Sequence, residues 1–294
     1  MAKPWPRVGA MLGGGPMRLD PGRLWRGFGT ALFLSLIGLG GTLMAVTVFP
    51  VVNLLTRDPS VRQRRILYAM HLAFRLYCRA ITALRVADID IKGGERLRHL
   101  QGALIVANHP SLLDVVMIIA ATPRVQCIVK AGLWRHPLYR LTVGGAGFLR
   151  NDLEPEELVA ACTRDLHAGL NLIIFPEGTR TIPGTRPKLH RGFANLAITA
   201  ACPVQVLTIT CDPPVLHKGN PWWRVPEKRS RFCLEVGELL DIGHFTDGHI
   251  RSVAARRLVA HLDNFYLEKL GHGHVGTAIE DIDRRGVEAG GSVA

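Results

Sequence analysis

The sequence predicts an α/β domain with a central mixed sheet flanked by helices, preceded by an N-terminal two-helix segment that associates with a membrane. Three observations predict this architecture. Residues 27–56 contain no charged side chain, and a basic amphipathic stretch follows at 62–85. From about Val86 onward, short apolar strands alternate with helical stretches, which is typical of α/β folds. The predicted boundaries are a flexible N-terminus (1–22), the two-helix segment (23–85), the α/β domain (86–270) and a flexible tail (271–294).

The uncharged run is long and apolar enough to cross a bilayer, because about 20 apolar residues suffice. A secretory signal peptide is the main alternative, but the run starts late, is too long and lacks a small-residue cleavage pattern. A buried soluble helix is rarely this long and apolar on every side. Arginines flank the run on both sides, which leaves its orientation open and also suits a re-entrant or monotopic hairpin.

The basic stretch has a 3.6-residue period. One face is predicted to carry Arg64, His71, Arg75, Arg79 and Thr82, and the other Ile66, Ala69, Ala73, Tyr77, Ala80 and Leu84. Such a helix is expected to lie in the membrane interface against anionic headgroups. The alternative is a helix packed on the globular domain with solvated arginines, and the two interpretations are compatible.

The body of the chain contains seven predicted strands and four predicted helices. The strands are Ala87–Ile91, Leu104–Ala107, Val125–Val129, Gly147–Leu149, Leu172–Phe175, Val204–Thr210 and Phe232–Val236, and the helices are Ser111–Ala120, Pro155–His167, Gly192–Ala201 and Asp247–Leu270. Ligand sites in such folds lie in loops at the strand ends. The two strongest motifs of the chain both directly follow a predicted strand.

The charge and cysteine content restrict the partners. A formal net charge of +12 suits an anionic partner, either nucleic acid or the phosphate face of a membrane. Basic residues concentrate beside the apolar run without the interleaved aromatics that stack bases, so no nucleic-acid partner is expected. The six cysteines form no CxxC pair and several lie in apolar runs. They are predicted to be buried reduced thiols, and no metal site is expected.

The first motif is Asn108-His109-Pro110-Ser111-Leu112-Leu113-Asp114. On one continuous helix, residues five apart lie about 140° apart, so His109 must precede the helix to meet Asp114. Pro110 is predicted to provide that break and to occupy the first helical position. An imidazole held by a carboxylate is a general base that can deprotonate an alcohol. Alone, the spacing is weak evidence, because a helix-capping histidine near an incidental aspartate would look the same.

The second motif is Phe175-Pro176-Glu177-Gly178-Thr179-Arg180. Gly178 permits close approach of backbone N–H groups to a ligand, and Arg180 offers a bidentate fork for phosphate. Thr179 adds a hydroxyl, and Glu177 is expected to orient Arg180 or to accept a hydrogen bond from an acceptor. The alternative is an ordinary Pro-Gly turn without a functional role.

Together, the two motifs resemble the glycerolipid and lysophospholipid acyltransferase family, of the bacterial 1-acylglycerol-3-phosphate acyltransferase type. The resemblance runs from roughly Ile91 to Gly237. It implies that His109 is the base, that Asp114 supports it, and that the segment Glu177, Gly178, Thr179 and Arg180 binds the acceptor's phosphate. It also implies substrate-binding roles for Asn108, Lys130, Arg150 and Pro203. One block departs from the family pattern, because Arg150 arrives one residue early and Asn151 takes its place.

The resemblance implies transfer of a fatty acyl group from acyl-CoA or acyl-carrier protein to a hydroxyl of a lysophospholipid-like acceptor. No further cofactor and no metal are implied, and the partners are membrane lipids and the acyl donor. The expected location is the inner (plasma) membrane with the catalytic domain on the cytoplasmic face. Two other functions remain open, a non-catalytic lipid-binding protein and a thioesterase with Ser111 as nucleophile. The chain has no GxSxG motif for a serine hydrolase of the usual kind.

Overall fold

The computed structural model describes residues 20–183, 185 and 187–270. Most of the predicted flexible N-terminus and the whole predicted tail lie outside these ranges. The elements are α1 (Pro21–Leu55), α2 (Pro59–Ala83), β1 (Asp88–Lys92), α3 (Gly94–Arg98), β2 (Leu104–Ala107), α4 (Asp114–Ala121), β3 (Val125–Val129), α5 (Ala131–Arg135), α6 (Arg140–Gly145), β4 (Leu149–Arg150), α7 (Pro155–His167), β5 (Asn171–Ile174), α8 (Gly192–Ala200), β6 (Val204–Asp212), β7 (Arg231–Leu240), α9 (Gly243–Thr246) and α10 (Arg251–Lys269).

The predicted mixed sheet flanked by helices is confirmed. Its seven strands run in the order β1-β7-β6-β2-β5-β3-β4. Only β6 and β7 pair antiparallel, so β6, β2, β5, β3 and β4 all point the same way. Their carboxyl ends therefore share one edge of the sheet. The bounds of β2, β3 and α7 agree with the prediction, whereas the short helices α3, α5, α6 and α9 were not predicted.

Each face of the sheet has its own apolar cluster. One cluster joins α1, α2 and α4 to the sheet, with Ile66, Met70 and Met117 among its buried members. The other joins α7, α8 and α10 to the opposite face through residues such as Phe193 and Leu258. All six cysteines are free thiols that are buried or half-buried, as predicted.

Helix α1 begins at Pro21, two residues before the predicted boundary, because Asp20 caps it by accepting hydrogen bonds from the backbone N–H groups of Gly22 and Arg23. By length and composition, α1 can cross a bilayer, and only 17% of its most apolar window is buried. Its exposed residues include an apolar stripe that no other part of the described chain covers: Leu24, Phe28, Leu32, Leu36, Leu39, Leu43, Val46 and Leu54.

The opposite side of α1 lies along the α/β domain. The Tyr77 hydroxyl donates to the Phe33 carbonyl (2.8 Å), and the Thr42 hydroxyl donates to the Leu138 carbonyl (2.5 Å). Phe49, near the end of α1, is buried against Gly145. Because these contacts extend along the helix, α1 cannot cross a bilayer without drawing part of the domain into it.

Helix α2 packs on the domain, which was the alternative to a helix lying free in an interface. Its buried residues are Ile66, Leu67, Met70, His71, Cys78 and Ile81. The placement of His71 on the polar face was wrong, since its Nδ1 lies 2.8 Å from the Ile119 carbonyl oxygen and burial lowers its pKa. Ala73 and Leu84 were assigned to the apolar face but are exposed. The 3.6-residue period was correct, but most of the buried residues of α2 were assigned to neither predicted face.

Small residues permit the close packing of α1, which gives a stability prediction. A Cβ atom on Gly29 would lie 2.4 Å from a methyl carbon of the buried, β-branched Val86, whereas one on Gly40 would have no neighbour within 4 Å. Both glycines are in the interior of the same helix, so alanine gains the same helix propensity at each. We expect Gly29→Ala to destabilise the protein by about 1–3 kcal/mol and Gly40→Ala to leave it unchanged or more stable.

The measurement is thermal unfolding of both full-length variants in the same detergent. Equal melting temperatures for the two variants would contradict the packing of α1 against Val86.

Candidate active site

The predicted site residues converge where parallel strands end. The segment after β2 carries His109, and the segment after neighbouring β5 carries the Glu177–Arg180 loop. Lys130 follows β3, and Arg150 ends β4. Because these strands are parallel, all four positions lie on the same edge of the sheet.

His109 and Asp114 meet, but the turn between them differs from the prediction. Helix α4 begins at Asp114, so Pro110 precedes it in a loop and does not occupy the first helical position. The backbone between Pro110 and Asp114 is not helical, and the Leu112 N–H donates a hydrogen bond to the Leu216 carbonyl instead. The result is a distance of 2.7 Å between His109 Nδ1 and Asp114 Oδ2.

The Asp114 carboxylate is completely buried. Oδ2 also accepts the Ser111 backbone N–H at 2.8 Å, whereas Oδ1 has no hydrogen-bond partner within the described ranges. Burial raises the pKa of Asp114 to about 6, and the hydrogen bond from His109 is the strongest influence opposing that rise. The hydrogen bond from His109 therefore favours the charged form of the buried carboxylate.

The imidazole ring of His109 is held from several sides. It stacks on Phe175 with ring centroids 4.0 Å apart and an angle of 18° between planes. The backbone N–H of His109 donates to Glu177 Oε1 at 3.0 Å, and its carbonyl accepts the Thr181 N–H at 2.7 Å. With Nδ1 bound to Asp114, Nε2 is the ring nitrogen left for a ligand. No atom of the described residues hydrogen-bonds it.

Glu177 connects the two motifs. Besides the backbone N–H of His109, its carboxylate accepts the Thr181 hydroxyl at 2.7 and 2.8 Å. It is buried, and no hydrogen bond or ion pair joins it to Arg180 in the described structure. The expectation that Glu177 orients Arg180 was therefore wrong. Its position shows a scaffolding role, because it fixes the loop after β5 to the loop after β2.

The rest of the second motif faces outward. Gly178 has a φ of +65°, a left-handed conformation that favours glycine, and both it and Thr179 are exposed. Arg180 is partly buried, and its Nη1 donates to the Leu216 carbonyl at 2.7 Å. This bond holds the guanidinium beside the turn between His109 and Asp114 and leaves other N–H groups of Arg180 for a ligand.

Asn108 is part of the scaffold. Its Nδ2 donates to the Ile209 carbonyl, its Oδ1 accepts the Ile209 N–H, both at 2.7 Å, and the side chain is buried. The amide thereby extends the pairing of β2 and β6 by one step. Both polar atoms of the amide are thus engaged with the backbone of β6, and the substrate-binding role of Asn108 stays a prediction.

Lys130 and Arg150 lie on the same edge of the sheet as His109, but their side chains differ in exposure and in hydrogen-bond partners. Lys130 is exposed, whereas the Arg150 guanidinium makes two hydrogen bonds to Asp152, from Nε at 2.9 Å and Nη2 at 2.8 Å. Asn151, which replaces the arginine of the family pattern, accepts the Ala131 backbone N–H. The departing block thus closes on itself, with the Arg150 guanidinium engaged by Asp152.

Pro203 lies apart from the other predicted site residues. It precedes the first residue of β6, and its carbonyl accepts the Leu104 N–H at the start of β2. Asn108 contacts Ile209 near the other end of β6, which is roughly 20 Å away at about 3.3 Å per residue. A residue before a parallel strand lies on the edge opposite to residues that follow one, so the structure does not bring Pro203 together with His109.

Ser111 is not arranged as a nucleophile. Its hydroxyl is fully buried and donates to the Val215 carbonyl at 3.1 Å. No hydrogen bond joins it to His109 within the described chain. This geometry removes the basis for a Ser111-dependent thioesterase.

An apolar cleft begins beside the site. It lies between α1, α2 and the segment 215–232, and its walls include Phe33, Tyr77, Leu113 and Leu216. Leu113 precedes Asp114, and the Leu216 carbonyl accepts the Arg180 hydrogen bond. The cleft thus reaches the atoms that surround the His109–Asp114 pair. The sequence provided no signal for it, because its walls come from four distant segments.

The chain is similar to known acyltransferases. Residues 88–211 match the family model named Acyltransferase. The chain is 39% identical over 82 residues to a 1-acyl-sn-glycerol-3-phosphate acyltransferase of Helicobacter pylori, covering 26% of this chain and 35% of that protein. It is 29% identical over 115 residues to the enzyme of that name from Cocos nucifera, covering 37% of each. The chain thus spans about a third of the length of these relatives.

A solved structure shares the fold. The 1-acyl-sn-glycerophosphate acyltransferase PlsC of Thermotoga maritima superposes with a TM-score of 0.63 and 18% sequence identity. The match covers 86% of this chain and 98% of that one, so it includes elements on both sides of the family-model match.

The buried carboxylate gives a pH-dependent stability prediction. Because the folded protein raises the pKa of Asp114 from 3.8 to about 6, it binds a proton more readily than the unfolded chain does. The favourable contribution of this group is complete below the ordinary pKa and is lost as the pH rises through about 6. The amide introduced by Asp114→Asn does not titrate. We expect wild type to lose on the order of 2–3 kcal/mol relative to Asp114→Asn as the pH rises from about 4 to about 7.

The measurement is the difference in unfolding free energy between the two proteins as a function of pH. A wild type that gains stability over Asp114→Asn across this interval would show that the pKa is lowered, not raised.

Proposed function

We propose that the protein, whose residues 88–211 match the family model named Acyltransferase, transfers a fatty acyl group from a thioester to a hydroxyl of a lysophospholipid, 1-acylglycerol-3-phosphate or a close relative. One observation carries the proposal. His109 Nδ1 is bound to a fully buried carboxylate, and Nε2 is left for a ligand at the edge of the sheet. This is the arrangement that a general base requires.

The proposed reaction is a direct transfer. His109 Nε2 takes the proton of the acceptor hydroxyl, and the oxygen attacks the thioester carbonyl carbon. The C–S bond then breaks, and the proton passes from Nε2 to the departing thiolate. The acyl group forms its new bond to the acceptor oxygen directly, so no covalent enzyme intermediate, metal or redox cofactor takes part in the steps.

Asp114 supports this step through charge and orientation. Its hydrogen bond directs Nδ1–H toward Oδ2 and so leaves Nε2 unprotonated before the reaction. When Nε2 takes the proton, the adjacent carboxylate stabilises the imidazolium. Stacking on Phe175 keeps the ring plane fixed during both states.

The acceptor's phosphate is proposed to bind at Arg180 and the exposed Gly178–Thr179 backbone. Arg180 is anchored by one N–H at the Leu216 carbonyl and offers the remaining donors to phosphate oxygens. Lys130 is exposed on the same edge of the sheet and adds positive charge. The apolar cleft beside Leu113 suits an acyl chain, since its lining is predominantly hydrophobic.

The donor is proposed to be acyl-CoA or acyl-carrier protein, and the protein is proposed to be held at the inner membrane by α1. The exposed apolar stripe of α1 buries in one side of a bilayer while the opposite side remains on the domain. A monotopic attachment follows from this packing. The catalytic domain is assigned to the cytoplasmic face because thioester donors are made there.

The experiment that tests the function is a transfer assay with purified full-length protein, radiolabelled acyl-CoA and 1-acylglycerol-3-phosphate. We expect a diacylated product from wild type and a loss of at least about a hundredfold in turnover for His109→Ala, since general-base catalysis typically contributes that much. Asp114→Asn should lose nearly as much because an amide cannot stabilise the imidazolium. Normal turnover by His109→Ala would refute the mechanism.

Two controls separate the alternatives. Release of free fatty acid without an acceptor would indicate a thioesterase, and binding of lipid without turnover would indicate a non-catalytic lipid-binding protein. Arg180→Ala should raise the apparent KM for the acceptor by about tenfold or more, because the variant loses a charge-assisted hydrogen bond to the phosphate. A rise confined to the thioester's KM would assign Arg180 to the donor.

Membrane attachment gives a separate prediction. We expect wild type to remain with membranes in high salt, because burial of an apolar stripe does not depend on ionic strength. Replacing both Leu39 and Leu43 on the exposed stripe with Glu should make the protein extractable, whereas Gly40→Ala between them should not. Release of wild type by salt alone would contradict the anchor. Truncation before Asp58 would not test the anchor alone, because it also removes α1, which covers part of the domain's core.

A further inference from the structure

An exposed pair of aromatic side chains lies far from the sheet's core. The segment between β6 and β7 includes residues 217–229, here called the tryptophan loop. Trp222 and Trp223 are 46% and 64% exposed, and their rings make an edge-to-face contact with centroids 5.6 Å apart. Two adjacent, exposed tryptophans form an apolar patch that requires a partner.

The charge around this pair selects the kind of partner. The tryptophan loop contains four Lys or Arg residues (Lys218, Arg224, Lys228 and Arg229) and one acidic residue, Glu227. Arg229 pairs with Asp88 at 2.8 Å, whereas the other three form no ion pair with any described residue. Aromatic rings accompanied by unpaired basic groups are suited to the headgroup region of an anionic bilayer.

The loop is continuous with the proposed membrane surface of α1. The Arg26 Nη2 donates to the Pro226 carbonyl at 3.3 Å, and a Cβ on Gly27 would touch the Val225 side chain at 3.6 Å. At this same end of α1, Trp25 and Phe28 are exposed with ring centroids 6.0 Å apart. An aliphatic stripe on α1 therefore ends in a region where aromatic and basic residues from two segments meet.

We propose that the tryptophan loop is a second membrane-contact element, which docks Trp222 and Trp223 into the headgroup region of an anionic phospholipid bilayer beside α1. Tryptophan favours this depth because its ring is apolar and its N–H is polar. Lys218, Arg224 and Lys228 supply the attraction to anionic headgroups, which acts only within about a Debye length of the surface. The proposal rests on the membrane attachment through α1 described above.

The root of the loop touches the catalytic turn. Leu216 has a φ of +56°, which is strained for leucine, and its carbonyl accepts both the Arg180 Nη1 and the Leu112 N–H. One residue earlier, the Val215 carbonyl accepts the Ser111 hydroxyl. Docking of the loop would therefore hold the opening of the site at the depth where a lysophospholipid headgroup lies. This consequence depends on the proposed function.

The test measures the depth of the loop in vesicles. Full-length Trp223→Cys carrying a nitroxide is compared with Arg256→Cys, an exposed position on α10 at the opposite face of the sheet. Wild type treated with the same reagent gives the background, since its cysteines are buried or half-buried. In phosphatidylglycerol vesicles we expect the label at 223 to be shielded from a water-soluble nickel complex and accessible to oxygen, and the label at 256 to show the reverse.

Lipid composition tests the charge argument. Shielding at 223 should decrease in phosphatidylcholine vesicles, where α1 still binds but the loop's basic groups have no anionic partner. Equal access of the nickel complex to 223 and 256 in phosphatidylglycerol would overturn the proposal, and equal shielding in both lipids would overturn its requirement for anionic lipid. These measurements need no turnover, so failure of the proposed reaction would not affect their interpretation.

A kinetic comparison distinguishes docking from a structural effect on the site. Replacing both tryptophans with Ser should raise the apparent KM for acceptor in phosphatidylglycerol vesicles by roughly fivefold or more, without changing kcat. Replacing both with Phe retains aromatic rings and should restore most of the loss. The kinetics of a short-chain acceptor dissolved as monomers should not change. A similar loss with the monomeric acceptor would contradict docking and assign the effect to the Leu216 connection.

Discussion

The buried carboxylate of Asp114 imposes the arrangement of the loops around it. An anion without solvent requires hydrogen-bond donors, and the two that serve Oδ2 come from the imidazole of His109 and the backbone of Ser111. For both to reach one oxygen, the chain must turn sharply between Pro110 and the start of α4. That turn is held from outside, because the carbonyl groups of Val215 and Leu216 bind the segment at Ser111 and Leu112. The His109–Asp114 pair thus depends on residues about one hundred positions away.

Glu177 illustrates which part of the site the sequence could predict. The position of each motif after an apolar strand correctly placed both on one edge of the sheet, since strand direction decides that edge. The partner of Glu177 could not be predicted, because the donor is the backbone N–H of His109 and a backbone group carries no sequence signal. The same strand argument places Pro203, which precedes its strand, on the opposite edge.

The N-terminal segment shows the limit of hydropathy as a predictor. An uncharged run predicts burial in an apolar environment, but it does not say how much of that environment is lipid and how much is protein. On α1, small residues decide which side of the helix faces protein. Gly29 and the hydroxyl of Thr42 let the helix approach Val86 and Leu138 closely. On α2 the period was correct and the assignment of His71 was wrong, because a neutral imidazole with a carbonyl partner can be buried in a core.

Support for the site also comes from beyond the segment that matches the family model. Strand β7 lies between β6 and β1 in the sheet. The Tyr266 hydroxyl of α10 lies 3.1 Å from the carbonyl oxygens of both Val106 and Leu207. Those carbonyls are on β2 and β6 where the strands approach Asn108, so α10 stabilises the base from which His109 projects. The opposite side of the same base is covered by α1 and α2. A site at a sheet edge is rigid only if both faces of the sheet are packed. The elements proposed to contact the membrane therefore also pack one of the two sheet faces that hold His109 and Asp114 in place.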